Sequence, residues 1–317
     1  MSKYIARRVA VSIITFFGIT IFVFFIANMA PGSPLDALLA EPGMTEADAA
    51  RRAAALGIDK PIYIQYFNWV KALLHGDLGF SYRTFQKVTL MVAQRIGPTL
   101  LLTGSAILIS YIFAIPLGII SSLRPYSLQD YMSTALAFLT AASPSFFLGM
   151  IFIYIFAVKL GWFPMGGMYE SGVAGNFLSL LRHLVLPAVA LALPQIGSTM
   201  RYVRSSMLEV LNEDYIRTAK AKGLRPKRVI WVHAFRNALI PVVTNFGSSL
   251  PFLIGGAVVT EQVFSWSGLG MLMVSSIGAR DYPVIMGITV VVAIFVLIGN
   301  LIVDLLYGVL DPRIRYN

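Results

Sequence analysis

The chain has 317 residues, of which 57% are hydrophobic and only 13% are charged, a composition too apolar for a soluble globular domain. It carries a formal net charge of +10 and no cysteine, which excludes disulfides, thiolate nucleophiles and soft-metal sites. The three histidines lie in different segments without metal-ligand spacing, and the sequence has no Gly-x4-Gly-Lys-Ser/Thr loop for ATP. We therefore expect no metal, no cofactor and no catalytic site on this chain.

Six uncharged runs of membrane-spanning length follow one another along the sequence. A membrane helix needs about 20 mostly apolar residues. The runs occupy residues 9–35, 96–123, 131–158, 183–200, 237–260 and 282–303. The alternative, one large soluble protein, would need six buried helices of unusual length. We therefore predict an all-α integral membrane protein with six transmembrane helices.

Residues 1–30 are predicted to form an N-terminal tail and the first membrane span. Lys3, Arg7 and Arg8 followed by an apolar run also describe a secretory signal peptide. However, the run exceeds the usual 7–15 residue core, and Asn28 and Met29 offer no small-x-small cleavage site. We interpret the run as a retained anchor.

Residues 31–95 are predicted to be an external, helical segment. Thr45 and Asp48 have the spacing of a helix N-terminus, and Gly57 that of the same helix's end. Asp59 is expected to cap a second helix over 61–74. The apolar residues of this helix recur at helical spacing, and they are Ile62, Tyr66, Trp69, Val70 and Leu73.

Two arrangements of the 61–74 helix are open. It could lie on the outer leaflet or touch a solute-binding protein, since amphipathic helices rich in aromatic residues favour interfaces. Alternatively, it simply packs on the outer ends of the bundle, which is the arrangement we expect.

Residues 96–308 are predicted to form a core of five spans. Internal prolines predict bends, because neighbouring helices or water can satisfy the freed carbonyls. They are Pro116, Pro144, Pro187, Pro194, Pro241 and Pro251. Bent helices around a central path suit a channel that opens and closes.

Neutral polar side chains in these spans are candidates for a translocation path with weak affinity for its cargo. They are Ser143, Ser145, Gln195, Ser198, Thr199, Asn245, Ser248 and Ser249, mainly in spans three to five. The alternative is that they hydrogen bond to their own helix backbones.

Asp304 is the one ionisable residue inside a predicted span, and such acids are often functional. Because it lies one or two turns from the span's end, within reach of Arg313 or Arg315, we assign it a structural role.

The basic residues predict which side of the membrane each segment occupies. Of the 25 lysines and arginines, 15 lie at the two termini, at Arg124 and between Arg201 and Arg236. Positive residues favour the cytoplasmic side, so both termini, including the tail 309–317, and the 201–236 segment are predicted to be cytoplasmic. Anionic lipid can use this charge. Nucleic acid is not expected as a partner, because the basic loop is tethered to the bilayer at both ends.

The cytoplasmic segment 205–236 has the helix start and stop signals of a helical hairpin. Met207 to Lys222 contains no Pro or Gly, Gly223 stands where a left-handed helix cap belongs, and Pro226 can open a second helix. Small Ala219 and Ala221 precede the glycine, so a partner could approach closely. A short, basic hairpin of this kind is suited to docking.

This segment also carries a family resemblance. Tyr215–Leu224 (YIRTAKAKGL), followed by Arg236–Pro241 (RNALIP), resembles the coupling loop of bacterial binding-protein-dependent ABC importer permeases. The resemblance is closest to the first of the two permease subunits (B-type) of the dipeptide/oligopeptide branch. Further matching strings stand in the correct order: 3–8 (KYIARR), 31–34 (PGSP), 61–66 (PIYIQY), 76–79 (GDLG), 261–264 (EQVF), 268–270 (GLG), 280–283 (RDYP) and 311–316 (DPRIRY).

The resemblance implies a type I ABC importer permease fold in the bacterial inner membrane, importing di- or oligopeptides or related solutes by alternating access. It implies three kinds of partner: a second homologous permease, two ATP-binding subunits that hold ATP and magnesium, and an extracytoplasmic solute-binding protein. Coupling to the ATP-binding subunits is assigned to Tyr215, Arg217, Thr218, Ala219, Lys220, Ala221, Lys222, Gly223 and Leu224.

Three other classes of function were weighed against this one. An ion-coupled secondary transporter needs buried acids or histidines to carry the ion, and the spans offer one peripheral aspartate. An intramembrane enzyme needs a catalytic pair within the spans, and none is visible. A helix-turn-helix regulator built on 207–236 would leave six spans unexplained.

Overall fold

The computed structural model describes residues 2–29, 45–57, 59–170 and 175–310, and these are mainly helical, with an isolated bridge between Phe80 and Lys87. In chain order the helices are α1 (Ser2–Met29), α2 (Glu46–Leu56), α3 (Ile62–Leu74), α4 (Val88–Leu123), α5 (Leu128–Ala142), α6 (Ser145–Phe152), α7 (Phe177–Leu211), α8 (Asp214–Ala221), α9 (Phe235–Val263), α10 (Leu269–Gly278) and α11 (Tyr282–Leu310). A π-helical stretch, Ile153–Lys159, extends α6, and a helical turn, Pro226–Arg228, leads through a second π-helical stretch, Val229–Ala234, into α9.

Within the described residues, each predicted span lies on helix, apart from the break at Ser143 and Pro144. Among the described residues, four helices are single stretches long and apolar enough to cross a bilayer: α1 from Ala6, α4, α7, and α11 as far as Asp304. The fifth predicted run, 237–260, lies within α9. The end of the first run, 30–35, lies outside the described residues. Apolar length alone located these helices, because each span must satisfy its own backbone hydrogen bonds.

The third span is broken at Pro144, where the sequence predicted a bend. Helix α5 and the extended α6 meet at an angle of 101°. Pro144 stands between them at the N-cap of α6, and Ser143 before it is extended, with φ −88° and ψ 125°. A residue preceding proline avoids the helical region for steric reasons. In contrast, Pro187 and Pro194 lie inside the continuous helix α7.

The external segment confirms one predicted helix start and corrects another. Thr45 caps α2 by accepting a hydrogen bond from the backbone N–H of Asp48, and Gly57 ends that helix with φ 69°. Asp59 does not cap α3. Pro61 occupies the N-cap of α3 with no side-chain hydrogen bond, because its fixed φ already suits a helix start.

The described residues group into two compact units, 2–99 with 267–298, and 100–266 with 299–310. In the first unit, α3 packs on α1. The Tyr66 hydroxyl lies 3.0 Å from Thr20 Oγ1, and the Phe24 ring lies 5.3 Å from that of Tyr66 and 6.5 Å from that of Trp69. These contacts support the packed arrangement of the second external helix.

The first unit has its own core and a buried polar contact. Its core consists of Leu78, Val88, Val92, Leu269, Val284 and Ile288. Asp281 accepts hydrogen bonds from Ser81 Oγ at 2.5 Å and from the backbone N–H of Tyr82 at 3.0 Å. Because Ser81 and Asp281 are 3% exposed or less, this contact fixes the turn before α11 against the 80–85 loop.

The second unit is organised around α7. Fully buried Trp266 packs with Leu102, Leu184 and Leu191 in one cluster. Where α7 crosses α5, a Cβ on Gly197 would collide with the carbonyl oxygen of Ala137. Only glycine permits this close approach of two backbones.

Candidate functional site

The 205–236 segment begins with a break that the sequence did not reveal. The predicted uninterrupted helix from Met207 to Lys222 ends at Leu211, and α8 starts at Asp214. Asn212 donates from Nδ2 to the carbonyl oxygen of Leu208 at 2.9 Å, and Glu213 is extended at the N-cap of α8, with φ −69° and ψ 146°. Polar side chains can compete with the helix for backbone groups, so neither Pro nor Gly is needed for a stop.

Helix α8 has one anchored face and one exposed face. Ile216 and Ala219, three residues apart and therefore on one side of the helix, are buried. They belong to a cluster, here called the anchor cluster, with residues of α4, α7, the π-helical stretch 229–234 and α9: Ile119, Val203, Met207, Val229, Ala234, Ala238 and Val242. The side chains of Tyr215, Arg217, Thr218, Lys220 and Ala221 are exposed. Apolar packing thus holds α8 and leaves its polar face available.

Ala219 is the exception among the predicted docking residues. Its side chain is only 6% exposed and lies in the anchor cluster, so in this structure it offers no surface to a partner. Its small size instead lets α8 lie close to the bundle. Leu224 is half-buried against the same cluster.

The C-terminus of α8 is a complete Schellman motif. Gly223 has φ 71°, which confirms the predicted left-handed cap. The Gly223 N–H bonds to Lys220 O at 3.0 Å and the Leu224 N–H to Ala219 O at 3.3 Å, the two hydrogen bonds that define the motif. A Cβ on Gly223 would meet nothing within 4 Å, so the backbone conformation alone favours glycine.

The return path to α9 also matches the predicted hairpin. Pro226 occupies the first position of its helical turn, where the missing N–H costs nothing. Val229 and Ala234 in the following π-helical stretch are buried in the anchor cluster. Both ends of the segment are therefore fastened to the second unit.

The exposed side of the segment is strongly basic. Its exposed cations are Arg217, Lys220, Lys222, Arg225, Lys227 and Arg228. Arg217 lies 3.3 Å from Asp214, but both are solvent-exposed, and such pairs contribute little. Partial desolvation of the ring, with Glu213 adding to it, raises the pKa of Tyr215, so its phenol remains neutral at physiological pH. This surface suits an acidic partner.

A buried ion pair beside this segment was missed by the sequence analysis. Arg204 of α7 donates from Nε and Nη2 to the two carboxylate oxygens of Asp130 on α5, each at 2.7 Å. Ser121 Oγ and the backbone N–H of Tyr126 also donate to this carboxylate. The pair joins the ends of α4, α5 and α7, and Arg204 stands three residues before Met207 of the anchor cluster.

Only part of that arrangement has a local signal. Ser127 and Asp130 have the capping-box spacing, and the Asp130 N–H does donate to Ser127 Oγ at 3.3 Å. The partner on α7 is 74 residues away, which no local pattern specifies.

Several of the predicted path residues take part in separate hydrogen bonds within or between helices. Gln195 donates to Thr199 Oγ1 at 3.0 Å within α7, and both are buried. Ser143 donates to its own helix at Leu139 O, 2.7 Å away, as in the alternative interpretation. Thr260 of α9 lies 3.4 Å from Ser145 of α6.

The remaining members of the path give no further test of it. Ser198 is half-buried, and the side chains of Asn245, Ser248 and Ser249 lie outside the described residues. The path stays a prediction. Asp304 was predicted to reach Arg313 or Arg315. Both arginines also lie outside the described residues.

Two family models together cover most of the chain. Residues 114–316 match the model of the binding-protein-dependent transport system inner membrane component, and residues 1–103 match the N-terminal model of the same kind of membrane component. This chain belongs to that family. The assignment confirms the resemblance found in the sequence, and the ion-coupled alternative receives no support from it.

Curated members of this permease family align over essentially the whole chain. The oligopeptide transport system permease protein AppB of Bacillus subtilis is 44% identical, with 100% of both chains covered. The di/tripeptide transport system permease protein DppB of Pseudomonas aeruginosa is 40% identical, with 100% of this chain and 99% of that protein covered. The dipeptide transport system permease protein DppB of Escherichia coli K12 is 38% identical over the same shares.

A solved structure confirms the fold class. A chain of the MetNI methionine ABC transporter, in inward-facing conformations, matches with a TM-score of 0.55 and 17% identity. The match covers 70% of this chain and 97% of that one. The helical membrane fold of an ABC importer permease is therefore the fold of this chain.

Proposed function

We propose that this chain is a membrane-spanning subunit of an ATP-driven importer that takes up di- or oligopeptides or related small solutes. The observation that carries the proposal is α8, a short basic helix fastened by apolar packing to the membrane helices of a chain whose sequence has no nucleotide-binding loop. Such a chain has the docking element of a transporter without its motor. The names of the full-length relatives support a peptide as the cargo.

The partners follow from this division of labour. A second, homologous permease completes the path, two ATP-binding subunits hold ATP and magnesium and hydrolyse the nucleotide, and an external solute-binding protein delivers the cargo. The exposed face of α8 and the residues 222–224 that follow it meet an ATP-binding subunit. The basic charge of this face favours an acidic groove on that subunit.

Mechanical coupling runs from α8 into the second unit. Displacing α8 acts directly on the helices that meet in the anchor cluster, α4, α7 and α9. The Asp130–Arg204 pair carries the same displacement to α5, the first half of the broken third span. Closing the ATP-binding subunits would thus shift the spans between inward-open and outward-open arrangements.

The contacts within each unit support the proposed topology. Asp130 and Arg204 belong to two segments predicted to be cytoplasmic, and they touch. Ser81 lies in the predicted external segment 31–95, and it touches Asp281, which stands just before the last span, on the side opposite the predicted cytoplasmic C-terminus. We place the chain in the bacterial inner membrane with both termini in the cytoplasm.

The proposal is tested by transport into proteoliposomes that contain the chain with its two kinds of partner subunit. With the solute-binding protein outside and ATP inside, we expect uptake of a labelled dipeptide that stops without ATP and persists with a protonophore. Uptake that survives ATP removal and collapses with the protonophore would establish an ion-coupled transporter instead.

A further inference from the structure

A cavity of about 290 Å³ lies in the first unit, among α1, α3, the 77–82 loop and the start of α11. It is partly open, and most of its lining is aromatic or amide. Among the described lining residues, Asp77 is the one charged side chain. Burial, with Asp281 adding to it, raises the pKa of Tyr82 to about 12, so that phenol contributes no charge at neutral pH.

The position of the cavity is set by two membrane spans. Phe24 and Asn28 line it from the last turns of the span that ends at Met29. Tyr282 and Met286 line it from the first turns of the span that starts at Tyr282. At 1.5 Å per residue, both sets lie within roughly 8 Å of their span ends. This is the depth of lipid headgroups and ester groups.

Two hydrogen-bond donors at this cavity have no acceptor. The indole N–H of Trp69 and the hydroxyl of Tyr282 are shielded from water and unpaired among the described residues, and both residues line the cavity. A buried donor without an acceptor is destabilising, so nearly all are paired in folded proteins. An acceptor oxygen on a molecule bound in the cavity would pair both donors.

Asp77, in contrast, is an acceptor that can bind a cationic group of a ligand. One of its oxygens accepts the Gly79 N–H at 2.9 Å, which leaves the other for a cation. Aromatic rings around a carboxylate favour an ammonium group through cation–π attraction. No arginine or lysine is among the described lining residues, so a ligand with net negative charge would lack a counter-ion.

We propose that this cavity binds the headgroup of an aminophospholipid from the outer leaflet. The ammonium lies against Asp77 and the rings, and phosphate or ester oxygens accept from Trp69 and Tyr282. Phosphatidylethanolamine has this combination of groups, whereas phosphatidylglycerol lacks the ammonium. A bound headgroup would lock α3 onto α1 and α11 at the membrane surface.

Lipid selectivity is the first test. The full-length chain, purified in its transporter complex and delipidated, is offered phosphatidylethanolamine or phosphatidylglycerol with identical acyl chains, and retained lipid is counted by native mass spectrometry. We expect selective retention of phosphatidylethanolamine, weakened on the order of tenfold by Asp77→Asn. Asp59→Asn, the same change at an exposed acid outside the cavity, serves as the control and should have no effect.

A second test separates lipid binding from a structural role. Tyr282→Phe keeps the ring and removes the unpaired hydroxyl, so the delipidated variant should be no less stable than the parent. With phosphatidylethanolamine, its gain in unfolding temperature should be smaller, and lipid affinity should fall on the order of fivefold. Tyr63→Phe on the exposed side of α3, where Tyr63 is 68% exposed, is the matched control.

Several outcomes would overturn the proposal. Equal retention of the two lipids, or retention unchanged by Asp77→Asn, would show that the cavity does not select an ammonium. An equal loss of stability with and without lipid in Tyr282→Phe would assign that hydroxyl a structural role. Displacement of the lipid by micromolar dialanine would assign the cavity to a peptide.

Discussion

At the scale of single residues, Gly223 shows how backbone conformation can matter without any packing contact. Its φ of 71° lies in the left-handed region, and the space beside it is open. A side chain there meets no neighbour, so its cost comes from the backbone alone. That cost is on the order of 1 kcal/mol for most residues and more for a β-branched one.

We therefore expect Gly223→Val to distort the end of α8 and reduce assembly with the ATP-binding subunits or their substrate-stimulated hydrolysis. Gly223→Asn is the matched control, because asparagine tolerates the left-handed conformation, and it should retain most activity. Co-purification of the subunits and ATPase rates measure both variants. Full assembly and full uptake in Gly223→Val would remove the Schellman turn from the coupling mechanism.

At the scale of elements, the Asp130–Arg204 pair, with Ser121, joins α4, α5 and α7. It thereby connects α5, which has no residue in the anchor cluster, to the other helices. Its side chains are 4% and 25% exposed, and the carboxylate has four donors besides Thr134. Removing one member leaves a poorly solvated charge. The resulting loss of folding stability exceeds the net stabilisation that the intact pair provides. The geometry is bidentate, so lysine cannot replace arginine.

We expect Arg204→Gln to lower the stability of the complex on the order of 2 kcal/mol. Arg204→Lys should keep more stability but lose transport coupled to ATP hydrolysis, since the two-point link to α5 is gone. Thermal unfolding and the ratio of uptake to hydrolysis measure these effects. Asp48→Asn, in the exposed pair with Arg51, is the control and should change neither. A normal coupling ratio in Arg204→Lys would contradict a mechanical role for the pair.

At the scale of the whole molecule, the two buried polar contacts pair segments according to the predicted topology. They do so independently of the charge bias from which the topology was predicted. Burial decides which positions are suitable for mapping this topology with a thiol reagent. Ser81 and Ser206 are conservative sites for a cysteine, but they are 1% and 6% exposed. Gln86 and Lys227 are exposed.

Because the natural chain has no cysteine, single replacements report on one position each. We expect Gln86→Cys to react with an impermeant thiol reagent in intact cells, and Lys227→Cys to react only after permeabilisation. The unsubstituted chain should not react at all. Labelling of Lys227→Cys, but not of Gln86→Cys, in intact cells would invert the topology.

The sequence by itself determined the features that depend on neighbouring residues. Apolar runs located the spans, because a bilayer forces each one to satisfy its backbone internally. Gly57 and Gly223 marked helix ends, and Pro226 marked a helix start, because their backbone preferences are local. The order of short motifs identified the permease family before any fold was known.

The tertiary structure decided everything that depends on distant partners. Only packing showed that Ala219 faces the anchor cluster and that Asp130 meets Arg204 across 74 residues. It also set the size of the turn at Pro144, 101°, where the sequence predicted only that a bend would lie. Local preferences permit several outcomes at such sites. The choice among them comes from contacts between helices that are far apart in the chain, which no local pattern encodes.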